Sequence, residues 1–228
     1  METTITAISL FVVPLAFNIL FALLARFFEY PDVLRQPTSA VLEKFQLGGQ
    51  KLLLTWWFFM LTAVLFAPVS VVVQLKLQTE HNALTATGLV FGILASLVQF
   101  LGLVRWTFLV PYLARESQKQ IDKTWEIDFI FQSFNRLFGV AIGEHLGYMF
   151  TGIWTICVSA SLLLEPHNSY PLGISGGIIG LVLLICSLEF VGPNEESGWD
   201  LAAFLTPITY VAWSIWLMAI GVYFLVSF

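Results

Sequence analysis

Arg105, Glu144 and His145 are ionisable side chains set inside long apolar stretches of this chain. An arginine there could hold an anionic group or compensate a carboxylate, a glutamate could accept or relay a proton, and an imidazole titrates near neutral pH. Their spacing adds to their type. Arg105 lies ten residues before Arg115, about 15 Å at the helical rise. Glu144 lies eight residues after Arg136, about 12 Å on the same scale. Asn18 stands eight residues before Arg26, and Tyr210 nine residues into the last apolar stretch. Four stretches thus bring polar groups to one depth. The expected arrangement is an Arg105–Glu144 pair. Asn18, His145 or Tyr210 would satisfy the remaining donors and acceptors, with Asn135, Arg136 and Tyr148 as further supports. Two readings compete: an ion pair that fixes helix packing, or a binding or proton-handling site in which Glu144 and His145 are the catalytic candidates. Adjacent helical residues diverge by about 100°, so Glu144 and His145 cannot both face one small target. A hydrogen-bonded histidine is the plainer reading.

The elements that position these groups follow from composition. Of 228 residues, 58% are apolar, 15% aromatic and 11% charged. A soluble domain carries about 25% charge, so a water-soluble globule and a disordered chain are both excluded. Ten Lys+Arg against fifteen Asp+Glu, net charge −5, leave no basic patch for nucleic acid. A polytopic membrane protein remains. Six apolar runs near residues 5–25, 52–73, 84–114, 137–164, 172–188 and 201–228 match the roughly 20 residues a helix needs to span a bilayer. They lack the period-two alternation of barrel strands, so the fold is an all-α bundle of six transmembrane helices in a single domain, 1–228. Eight basic residues (Arg26, Arg35, Lys44, Lys51, Arg115, Lys119, Lys123, Arg136) flank one side of these runs and only Lys76 flanks the other. The basic side is expected to be cytoplasmic, with both termini outside the inner membrane.

Two connections have structure of their own. Thr38–Gln46, closed by Gly48-Gly49, reads as a surface helix. Glu116–Phe134 mixes Lys119, Asp122 and Lys123 with Ile121, Trp125, Phe129 and Ile130, which suits a helix in the headgroup zone or a cytoplasmic extension of its neighbours. Gly139, Gly143 and Gly147 lie at four-residue spacing, as do Gly88, Gly92 and Ser96, and the fifth run holds Gly173, Gly176, Gly177 and Gly180. Small residues so spaced let helices approach closely, within one chain or across a homodimer. Cys157 and Cys186 lie within apolar runs, without CxxC spacing, and read as buried small side chains.

Several chemistries fail on their requirements. Gly173-Ile-Ser175-Gly176 fits the GxSG of rhomboid-type proteases, but no histidine follows it to act as base. Glu195-Glu196 has no partner histidines and reads as surface charge. No lysine lies within a span, so a retinal Schiff base is excluded. Bis-histidine haem needs two deep histidines, and only His145 is deep, since His81 and His167 fall in outer loops. Metal ligation at Glu144 and His145 lacks a third ligand. No cofactor is expected.

Two segments carry a resemblance. Arg105-Trp-Thr-Phe-Leu-Val-Pro-Tyr-Leu-Ala-Arg115 and Phe134-Asn-Arg-Leu-Phe-Gly-Val-Ala-Ile-Gly-Glu-His-Leu-Gly-Tyr148 resemble a bacterial six-span membrane family catalogued only as domain of unknown function 4386. The resemblance implies a small integral membrane protein of six helices and brings no substrate, cofactor or catalytic residue. Three functions stay open. One is the binding or movement of a small amphiphilic or anionic molecule at Arg105, Glu144, His145, Asn18, Asn135, Arg136, Tyr148 and Tyr210. The second is an intramembrane enzyme using Glu144 as general acid or base. The third is an assembly partner within a membrane complex.

Overall fold

A computed structural model describes residues 2–77, 82–119, 123–164 and 169–227. His81 and His167 fall outside the described residues, as do Ile121 and Asp122. The helices are α1 (Glu2–Phe28), α2 (Thr38–Lys76), α3 (Asn82–Lys119), α4 (Thr124–Phe134), α5 (Gly147–Leu164), α6 (Tyr170–Cys186) and α7 (Asp200–Ser227). Asn135–Leu146 joins α4 to α5 as a π-helix, so Thr124–Leu164 is one continuous apolar element. Among the described residues five helices are long and apolar enough to cross a membrane, and α6 is apolar but shorter. The chain is an all-α, multi-pass membrane protein.

The helices overrun the apolar runs, because backbone hydrogen bonding continues past the charged residues at which an apolar count stops. The surface helix and the second run are one element, α2. Its backbone breaks at Gly49, whose φ of 56° and ψ of −148° suit only glycine. The amphipathic α4 likewise runs straight into the bundle rather than lying apart from it.

Contacts at the two ends set the up-and-down order. Lys76 Nζ donates to Thr3 Oγ1 at 3.0 Å at one end, and Lys44 pairs with Glu29 at 2.6 Å at the other. Gly221 of α7 packs on Ala7, Leu10 and Phe11 of α1, placing the start of α1 beside the end of α7. Trp213 Nε1 bonds Thr155 Oγ1 at 3.0 Å and Trp216 Nε1 bonds the Leu172 carbonyl at 2.9 Å, tying α7 to α5 and α6.

The interior divides into two apolar clusters. One, near the chain ends, holds Leu10, Phe66, Val73, Trp154, Trp216 and Phe224. The other, toward the Glu29–Lys44 end, holds Leu24, Phe28, Trp56, Trp106 and Phe131. Along α1, α2, α3 and the 124–164 element the stretch between the clusters carries polar residues, namely Asn18, Thr62, Gln99, Arg105, Glu144 and Thr151, and Tyr210 of α7 packs at the edge of the first cluster. In lipid, where helices gain little from hydrophobic attraction to one another, such a layer adds directional bonds between them.

Candidate functional site

Gly139, Gly143 and Gly147 face α3 at successive turns. A Cβ on Gly139 would lie 2.5 Å from Arg105 Nη2, one on Gly143 would lie 3.0 Å from Gly102 Cα, and one on Gly147 would lie 3.2 Å from Gln99 Cγ. The stripe is therefore used inside the chain, as are Gly152 and Gly180, which meet across α5 and α6. The π geometry matters here, because its hydrogen bonds run from i to i+5 rather than i to i+4 and the turn is wider. Residues four apart still share the face toward α3, and a residue one further on is turned nearer to that face than in an α-helix. Glu144, which follows Gly143, is therefore carried toward the α3 side.

The expected Arg105–Glu144 contact pair does not form. Arg105 is 8% exposed. Its Nη1 donates back to the Gly102 carbonyl and its Nη2 donates to Asn135 Oδ1 at 3.0 Å. Its guanidinium also lies 5.3 Å from the Trp106 ring. Glycine at 139 leaves room for the guanidinium to fold onto its own helix, which takes it out of contact with Glu144. The two charges interact only at longer range.

Glu144 is recessed in protein yet partly accessible, and it has no hydrogen bond or ion pair among the described residues. Tyr30, Tyr148, Tyr210 and Glu189 lie within its electrostatic reach. These tyrosines are joined by aromatic contacts. Centroid distances are 5.4 Å for Tyr148–Tyr210, 5.8 Å for Tyr210–Phe17, 6.5 Å for Phe17–Phe21, 5.7 Å for Phe21–Tyr30 and 5.1 Å for Tyr30–Trp56. An arc of rings from α5, α7, α1, the α1–α2 loop and α2 thus has its tyrosines near one unpartnered carboxylate.

The remaining candidates separate. His145 Nδ1 contacts the Ser187 carbonyl at 2.6 Å and anchors the π segment to the end of α6. Arg136 is exposed and pairs with Glu195 of the α6–α7 loop, away from Arg105. Asn18 Nδ2 donates to Ser214 Oγ at 2.8 Å, bridging α1 and α7 at the expected depth but on another face. Gln99 Nε2 donates to Thr151 Oγ1 at 2.8 Å, and the Tyr210 hydroxyl approaches the same threonine. Gln99 and Tyr210 border a cavity of about 20 Å³, lined also by Phe17 and Thr62, room for about one water. Ser175 bonds the Leu172 carbonyl of its own helix at 3.2 Å. Both cysteines are buried and free. Among the described residues no cluster of three or more His, Cys, Asp or Glu could hold a metal ion.

A family model, described as Domain of unknown function (DUF4386), matches residues 6–221. The chain belongs to that family. No curated protein and no solved structure matches it. In this DUF4386 protein the match spans the whole polar layer, from Asn18 to Tyr210.

Tyr30 and Glu189 are the site residues that spacing did not reveal. Both lie in connections, where a tyrosine after the first run and an acid closing the fifth read as boundary residues. Burial raises the Tyr30 hydroxyl pKa, and the Glu144 charge raises it further, so it stays a neutral donor. Burial, and next the Glu144 charge, push the Glu189 carboxyl up to about 7, with Arg35 opposing. The folded chain therefore favours protonated Glu189. The associated stability is complete below about pH 4.5 and is lost as pH rises through about 7. Thermal unfolding in detergent should show a loss of about 1–2 kcal/mol between about pH 5 and about pH 8, after discounting a half-exposed group for solvent screening. Glu189→Gln should remove that slope. Equal slopes in both proteins would exclude Glu189 as its source.

Proposed function

We propose that this protein is a bacterial inner-membrane protein, with both termini on the non-cytoplasmic side, that binds or moves a small amphiphilic molecule. Its site would lie in the cytoplasmic half of the bundle. One observation carries the reading: Glu144, deep in the bundle and partly accessible, has no hydrogen-bond or ion partner among the described residues. An ionisable group at membrane depth costs several kcal/mol unless something satisfies it, and a bound polar head would do so. The aromatic arc offers the apolar wall that most small-molecule sites have. The orientation rests on the basic residues: Arg35, Lys44, Lys119 and Arg136 stand toward the end opposite Lys76 and Thr3.

Native mass spectrometry of protein purified in mild detergent tests the reading. A small amphiphile should stay on the wild-type chain and be lost from Glu144→Gln. Identical adducts on both would remove Glu144 from the site. The acid–base reading draws support from Glu189, a second carboxyl within reach of Glu144 that titrates at about 7 and lies nearer the loop. Such a pair could pass a proton inward from the α6–α7 loop.

A further inference from the structure

We propose that Glu144 selects amphiphiles whose head is a protonated amine; this rests on the binding reading above. Arg105, the natural holder of an anion, already donates to Gly102 and Asn135 and lies against Trp106. The ionisable group left without a hydrogen-bond or ion partner, among the described residues, is an acid, Glu144. Glu189, the next ionisable group toward the loop, is also acidic and is faced by Arg35. The Tyr148–Tyr210–Phe17–Phe21–Tyr30 arc is continuous through ring contacts, and its three tyrosines feel the Glu144 carboxyl electrostatically.

Aromatic rings attract cations through their quadrupoles, and a carboxylate accepts charge-assisted hydrogen bonds from N–H donors. An anionic head would meet Glu144 with no free guanidinium contact to offset the repulsion. A neutral hydroxyl head would gain a hydrogen bond without the charge. An ammonium gains both the carboxylate and the rings, and its alkyl chain can follow the apolar residues that border the layer.

The test uses the full chain in nanodiscs of phosphatidylcholine, which has no primary amine. Dodecylamine, dodecanol and dodecanoate are titrated at neutral pH, with binding read from intrinsic tryptophan fluorescence. Dodecylamine should bind saturably, and Glu144→Gln should weaken it about tenfold or more, the scale of one lost charge-assisted hydrogen bond. Dodecanol should bind more weakly and be unmoved by the substitution. If dodecanol or dodecanoate matches the amine and Glu144→Gln leaves the ranking intact, the charge preference is overturned while the binding reading stands. If none saturates on the wild type, both fall.

A second measurement needs no variant. Dicyclohexylcarbodiimide labelling of Glu144, followed by peptide mass spectrometry, should be slowed by N,N-dimethyldodecylamine, a tertiary amine that cannot form an amide with the activated carboxyl, and not by dodecanol. Equal labelling with either ligand overturns the proposal. Adding phosphatidylethanolamine to the discs separates the two sources of the amine. Competition with dodecylamine assigns a lipid headgroup, and its absence assigns a free amphiphilic amine.

Discussion

Gly102→Ala is expected to destabilise the bundle by about 3 kcal/mol, the upper part of the range for overpacked interiors. The added Cβ would lie 2.6 Å from Gly143 Cα, 3.0 Å from the Phe138 carbonyl oxygen and 3.3 Å from Gly143 N. All three are backbone atoms, so no side chain can turn aside. Relief requires α3 and the π segment to separate, which would also shift Arg105 relative to Asn135 and Glu144. Gly177→Ala is the internal control, because nothing lies within 4 Å of its added Cβ. Alanine there exchanges a poor helix former for the best one and should be neutral or stabilising by up to about 1 kcal/mol. Thermal unfolding of both variants in the same detergent separates the cases. If Gly102→Ala melts with Gly177→Ala, the close approach of α3 and the π segment is not a constraint on the fold.

That close approach was partly legible in the sequence. Glycines at 139, 143 and 147 signalled a packed face, and the face is real. The partner helix was not legible, since spacing on one helix says nothing of which neighbour meets it. Depth was legible too: Asn18, Arg105, Glu144 and Tyr210 fall in one layer because a charged residue at a helix end and a fixed rise per residue locate any intervening group. The direction of each side chain around its helix was not. Asn18 shares the depth of Glu144 but turns to Ser214, and Arg105 curls onto Gly102.

The π-helix explains a further part of the gap. Read as α-helix, Glu144 pairs with Tyr148 one turn on and stands beside the glycine face. The wider π turn instead carries Glu144 toward the side of Gly139 and Gly143. Nothing in the composition of Asn135–Leu146 distinguishes the two periods. The aromatic arc was hidden for a related reason. Its rings come from five separate elements, so no local window contains the pattern, and the 15% aromatic content shows abundance without placement. By contrast, the break at Gly49 was visible because the signal is local: two consecutive glycines between an amphipathic stretch and an apolar one.

Arg105→Met should cost about 2–3 kcal/mol, and Glu144→Gln in the same chain should return a measurable part of it. Arg105 is held by a carbonyl, an amide oxygen and an indole ring, with Glu144 acting only from a distance. Methionine keeps much of the stem but leaves Asn135 without its donor and Glu144 without the nearest opposing charge. Breaking a buried contact pair costs about 3–5 kcal/mol; the absence of contact and the partial accessibility of Glu144 place this case lower. Neutralising Glu144 removes the electrostatic share of the loss and leaves the hydrogen-bond share. The double-mutant cycle therefore reads the long-range term directly, with an expected coupling of about 1 kcal/mol. Strictly additive single substitutions would mean that Arg105 serves only Gly102, Asn135 and Trp106. Glu144 would then draw nothing from Arg105, and whatever satisfies its carboxyl would have to come from elsewhere.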